Sequence, residues 1–205
     1  ERMLDAINYT AWDTTKWVQW TFAERHSFVW DKERHLVQVE WENNRVLLNP
    51  DEISGKAYVN DEEVQDESTD KLVQTAWEYF ANDGFWLNAP AKAFDPGTSR
   101  SIVEQKDGTQ GLLITYSSGG VTPGDAYLWL LDEQGLPQKW KMWVSIIPIG
   151  GVEATWTDWT TLSTGAKVAT NHKLGPVNLP VTNLKAAQSW QELGLDKDPF
   201  ELLKN

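Results

Sequence analysis

His35-Leu36-Val37-Gln38-Val39-Glu40-Trp41-Glu42 alternates without a break: Val37, Val39 and Trp41 point one way, Gln38, Glu40 and Glu42 the other. That is the pattern of a strand with one buried face. Upstream, Lys16-Trp17-Val18-Gln19-Trp20-Thr21-Phe22 sets Val18, Trp20 and Phe22 against Gln19 and Thr21, and residues 27–31 place Phe28 and Trp30 together. Downstream, strand patterns at 45–49 and 56–60 follow Asn-Asn and Ser-Gly turn signals. These strands, tightly joined, predict an antiparallel meander.

The period then changes. Residues 70–82 carry Leu72, Val73, Ala76, Trp77 and Phe80 at helical spacing, with Ser68, Thr69 or Asp70 to cap the start and Asn82-Asp83-Gly84 to close it. Phe85-Trp86-Leu87-Asn88-Ala89-Pro90 reads as an apolar loop, followed by a turn at Asp95-Pro96-Gly97. Strand patterns resume at 100–105, 111–117, 125–132, 138–145, 153–162 and 167–172. Tyr127, Trp129 and Leu131 share one face and Leu128 and Leu130 the other, so that strand is buried on both sides. Trp140, Met142 and Val144 oppose Lys141 and Trp143. Residues 184–193 predict a short helix, and residues 2–7 the end of another.

The fold class that follows is mainly β (α+β), a single domain over residues 1–205. It is an antiparallel, unclosed half-barrel of about 11 strands with a helical lid or plug. An eight-stranded barrel is just wide enough for its own side chains to fill. A wider, unclosed sheet cannot fill its concave side alone, and one internal helix is available to help. The remaining concavity is a helix-plugged core or a ligand cavity.

Composition narrows the function. Acids outnumber bases by 30 to 18, a net charge of −12, which disfavours phosphate backbones and excludes nucleic acid as a partner. No apolar run approaches the length of a membrane span. Cysteine is absent, so there is no disulfide framework and no thiolate metal site. The chain begins at Glu1 rather than Met, and we expect upstream of it a signal peptide or a lipid-carrying cysteine, the second of which would be a membrane tether.

Several motifs resemble a known family. Arg25-His26-Ser27-Phe28-Val29-Trp30-Asp31-Lys32 with its following Val-Gln-Val-Glu-Trp strand is similar to the early hairpin of an uncharacterised family of exported bacterial proteins, mostly from Bacteroidota. Asn82-Asp83-Gly84-Phe85-Trp86-Leu87-Asn88-Ala89-Pro90-Ala91-Lys92, then Asp95-Pro96-Gly97, resembles the same family, as does Ala11-Trp12-Asp13-Thr14-Thr15. The likeness runs from about Ala11 to His172. It implies the fold of the lipoprotein carriers LolA and LolB, an unclosed barrel with a helical lid. It also implies an exported protein, periplasmic or associated with the outer membrane. The carriers' functional residues do not map onto this chain, and none is transferred.

The 13 tryptophans are the chemical signal. Core packing is the default account of any one of them. The functional account is an aromatic-lined pocket for a lipid or lipoprotein acyl chain. Its expected lining is Trp20, Phe22, Phe28, Trp30, Trp41, Trp77, Phe80, Phe85, Trp86, Trp129, Trp140 and Met142, with Trp77, Phe85 and Trp86 on the lid. Arg25, Lys92 and Arg100 are candidate head-group contacts. Opening of the helix and the Phe85–Pro90 stretch would gate access.

Other chemistry lacks a pattern. Residues 51–70 hold eight acids against Lys56, without calcium-loop spacing, and read as a solvated run before a helix. His26, His35 and His172 lack zinc spacing and read as structural or exposed. Ser117-Ser118-Gly119-Gly120 is a turn rather than a nucleophile elbow, and no phosphate loop or dinucleotide fingerprint occurs. The expectation is therefore a monomeric binding protein without cofactor, metal or catalysis. Its partner is an apolar small molecule or acyl chain, with another envelope protein as a second partner. The alternative is a carbohydrate- or protein-binding module of a cell-surface assembly, without a cavity. A glycoside- or ester-cleaving enzyme would need converging carboxylates or a Ser–His pair.

Overall fold

A computed structural model describes residues 1–117, 124–145, 147 and 149–203. The strands pair antiparallel throughout, and 14 are seen among the described residues. Thirteen follow one path with two free ends, and the remaining one branches from it, so the sheet is mainly β and unclosed, as expected. The chain divides into two compact units.

The first unit comprises Asp13–Phe85, Leu162–Thr164 and Val181–Asn205. Its meander is β1 (Trp17–Phe22), β2 (His26–Asp31), β3 (Leu36–Trp41), β4 (Asn44–Asn49), β5 (Ser54–Val59) and β6 (Glu62–Val64). The five expected strands are present, and short β6 adds a sixth. Two-residue turns join β3 to β4 and β5 to β6, and in the second Asn60 and Asp61, at φ 52° and 66°, tolerate the left-handed region better than most residues. The pairs Trp20↔Phe28, Phe28↔Val39, Val39↔Val46 and Val46↔Ala57 line one face from strand to strand.

Helix α1 of this unit (Ser68–Asn88, reaching Phe85 within it) lies on that face and buries Val73, Ala76 and Phe80, one stripe at helical spacing. Two expectations about it need correcting. Asp66, rather than Ser68, Thr69 or Asp70, caps the start, accepting from the Ser68 N–H at 2.8 Å and the Ser68 hydroxyl at 2.6 Å. These bonds to its charged form lower the Asp66 pKa. Nor does Asn82-Asp83-Gly84 end the helix, which runs on to Asn88 and then into a 3-10 turn at Ala89–Lys92. Gly84 sits under Phe80 and needs no left-handed turn, and Pro90 is what stops the α-helix. The apolar stretch 85–90 is thus helical rather than a loop.

The opposite face of the meander is also covered. Trp17, Val29, Leu47 and Tyr58 pack against Leu193 and Phe200 from the C-terminal tail. Arg34 fastens that tail, bonding both Asp198 oxygens at 2.8 Å and buried Asp31 at 2.6 Å. Residues 184–193 are therefore no helix. They begin as the end of a strand, the Val181–Ala187 part of Val177–Ala187, whose alanines pair with Trp17 and Val18.

The second unit comprises Glu1–Trp12, Trp86–Thr161 and Gly165–Pro180. It holds β7 (Thr98–Glu104), β8 (Gln110–Tyr116), β9 (Ala126–Leu131), β10 (Pro137–Trp143), β11 (Val152–Thr155), β12 (Thr157–Thr161), β13 (Lys167–Leu174) and the start of β14 (Val177–Ala187). The expected strand at 153–162 is two. At Trp156 the chain leaves β10, burying the indole, and β12 turns to pair with β13. A short helix at Arg2–Ala6 anchors Met3 in this unit, with the Arg2 guanidinium donating to the Glu133 carbonyl at 2.7 Å. The turn expected at 117–120 lies, past Ser117, outside the described residues.

Candidate functional site

In the first unit the candidate residues gather under α1. Phe80 reaches from the helix to the sheet, with ring centroids 6.4 Å from Trp20, 6.4 Å from Phe28 and 5.3 Å from Trp30. Trp20 stacks on Phe28 at 4.5 Å, a consequence of their direct pairing across β1 and β2. The Trp20 indole N–H is buried with no hydrogen-bond acceptor among the described residues, and the rings of Phe28 and Phe80 lie near the indole. Phe22 and Trp41 are buried on the same face. Trp77 and Phe85 are half-buried on the helix, and Trp77 makes no ring contact among the described residues.

Two polar features accompany this face that sequence reasoning missed. His26 Nδ1 lies 2.7 Å from an oxygen of buried Asp83, whose second oxygen accepts from Asn82 at 2.8 Å. The His26 ring also stacks on Tyr79 at 3.8 Å, and Tyr79 meets the edge of Trp41 at 5.5 Å. This pair ties α1 to β2, joining the two motifs that carry the family resemblance. The second feature is Lys32, its ammonium 5.8 Å from the centre of the Trp30 ring. Burial pushes the Lys32 amine down to about 8, against the opposing pull of the Asp13 charge. The one signal for Lys32 was its place two residues beyond Trp30, just past the end of β2.

In the second unit Trp86, Trp129, Trp140 and Trp156 form one cluster. Trp86 lies 4.8 Å from Trp140 and 6.4 Å from Trp156, Trp129 4.8 Å from Trp140 and 5.0 Å from Trp156, and Trp140 5.0 Å from Trp156. Most of these contacts are edge-to-face, the arrangement that ring quadrupoles favour. Trp129 and Trp156 have no exposed surface, and Met142 is buried beside them under Tyr127. His172 closes the cluster 4.3 Å from Trp156 and donates through Nδ1 to the Thr155 carbonyl at 3.2 Å. Burial pushes its imidazole down to about 4, so it is neutral at pH 7 despite the carbonyls of Thr155 and Trp86 that favour its charge.

The candidate head-group cations fall in both units. Arg25 is exposed at the β1–β2 turn of the first. In the second, Lys92 pairs with Asp95 at 2.5 Å, and Arg100 bonds the Ala93 carbonyl at 2.8 Å and Thr98 at 2.6 Å while lying over the Phe94 ring. Among the described residues no helix is long and apolar enough to cross a membrane.

No protein-family profile matches the chain, and no curated protein does. Among solved structures it is similar to a DUF1329 family protein from Desulfovibrio piger. That likeness covers 94% of this chain and 97% of the other at 10% identity, with a TM-score of 0.41. It is also similar to a putative outer membrane lipoprotein-sorting protein domain from Vibrio parahaemolyticus, over 91% of this chain and 94% of the other, at 6% identity and a TM-score of 0.35. The architecture itself rests on the strand path.

Proposed function

We propose that the protein binds an apolar ligand, a lipid or an acyl chain, in the bacterial envelope, as a shielding protein rather than an enzyme. The observation that carries this reading is the cover of the aromatic face in the first unit. A single helix overlies Trp20, Phe28, Trp30 and Trp41, and its Trp77 borders that face half-exposed and, among the described residues, without a ring partner. Lifting that helix exposes rings that gain about 25 cal/mol per Å² when an acyl chain removes them from water. Lys32, its ammonium over the Trp30 ring, supplies a cation for an anionic head group.

The test is uptake of a fluorescent fatty acid, followed by titration against pH. Trp77→Arg should weaken uptake about tenfold, some 1.4 kcal/mol, with the circular dichroism of the fold unchanged. Uptake by wild type should fall as pH rises through about 8, where Lys32 loses its charge, and Lys32→Met should bind more weakly without that step. Equal uptake by all three proteins at every pH contradicts the reading.

A packed carbohydrate- or protein-binding module is the second reading. It is favoured by the complete burial of Trp20, Trp129 and Trp156 against other rings, which makes them core.

A further inference from the structure

The two ends of the strand path are built differently. At one end β6 is three residues long, and Glu62 and Glu63 are exposed beside Asp61, a short acidic edge that resists pairing. At the other end β7 is seven residues long, Thr-Ser-Arg-Ser-Ile-Val-Glu, without proline, lysine or a register shift against β8. Its Ile102 is 65% exposed.

The hydrogen bonds fix which backbone groups of β7 are open. Ser117 N–H donates to the Gly97 carbonyl at 2.9 Å, and Gln105 N–H to the Thr109 carbonyl at 2.8 Å. Odd-numbered residues therefore turn their backbone groups toward β8. Arg100, Ile102 and Glu104 turn theirs outward, while the Thr98 N–H is taken by the Asp95 carbonyl.

We propose that this edge pairs antiparallel with β7 of a second copy of the chain, with Ile102 on the twofold axis. Such pairing must set even residues opposite even ones. With Ile102 facing Ile102 of the partner subunit, Arg100 falls opposite Glu104 of the partner subunit, and the reverse pair forms on the other side of the axis. Two ion pairs then flank an apolar contact on one face. An axis at Arg100 or at Glu104 would set like charges against each other. Arg100 is already steadied by the Ala93 carbonyl, Thr98 and the Phe94 ring. Such a dimer departs from the monomer expected from the sequence, and it stands independently of the ligand reading.

The chain has no cysteine, so Ile102→Cys introduces a single thiol. Residues directly opposite in a hydrogen-bonded antiparallel pair lie about 5.5 Å apart at Cα, within disulfide reach. Mild oxidation should join the I102C protein into a covalent dimer, while I149C, at a site 72% exposed, should not dimerise in the same time. The mass of wild type by sedimentation should rise with concentration toward two chains. Arg100→Glu should hold it at one chain, and adding Glu104→Arg should restore the pair. A wild-type mass of one chain throughout the series, or cross-linking of I102C no faster than I149C, overturns the proposal.

Discussion

His172 shows what burial does to a single residue here. The sequence left it structural or exposed; it is fully buried, its ring 5.3 Å from Trp86 and 4.3 Å from Trp156, with its acid–base behaviour set by desolvation. Because the folded imidazole titrates near 4 and the unfolded one near 6.5, the unfolded chain binds the extra proton between those values. The stability it contributes is complete above about pH 6.5 and is lost as pH falls toward 4. That amounts to about 3 kcal/mol, since each pH unit separating the two titrations is worth about 1.4 kcal/mol. Urea midpoints measured over that range should fall for wild type and stay flatter for His172→Leu. Equal slopes would place the acid sensitivity elsewhere. The same burial disqualifies Trp86 as a test of ligand binding, since truncating it to Ala should cost about 3–5 kcal/mol in the cluster whatever it binds.

Among the elements, α1 (Ser68–Asn88) matters most, because it covers the aromatic face and is tied down by His26 and Asp83. Asp83→Ala removes a charge-assisted bond to a half-buried histidine, a loss of about 2 kcal/mol. Amides of residues 72–84 should then exchange hydrogen at least tenfold faster, with those of β8 to β10 unchanged. Uniform exchange across the chain would mean that the pair stabilises the whole fold rather than the helix. Element boundaries were also where the sequence was hardest to read. β3 and β9 were legible because alternation of large apolar side chains is itself the cause of their burial. β14 (Val177–Ala187) was not, because Pro180 interrupts its pattern, Asn183 adopts φ 50° at a register shift, and Lys185-Ala186-Ala187 has helical composition. Gly84 misled in the other direction, since its small size accommodates Phe80 rather than ending a helix.

At the scale of the whole molecule, the sequence pointed to an open antiparallel sheet rich in tryptophan, and the strand path with its two free ends agrees. The rings of the candidate site were nameable because aromatic alternation marks the inward face. The polar groups beside them were not, because His26 and Asp83 are 57 positions apart and meet only through the docking of a helix on a strand. The proposed function asks the face beneath that helix to accept something other than its own cover. The most direct test is native mass spectrometry of the gently purified protein, with organic extraction and, in parallel, titration with acyl chains. A bound mass released by solvent and identified as a lipid or fatty acid is expected, or stoichiometric uptake by the stripped protein. A single ligand-free mass that takes up no acyl chain would contradict the proposed function, and would leave the aromatic face as packed core.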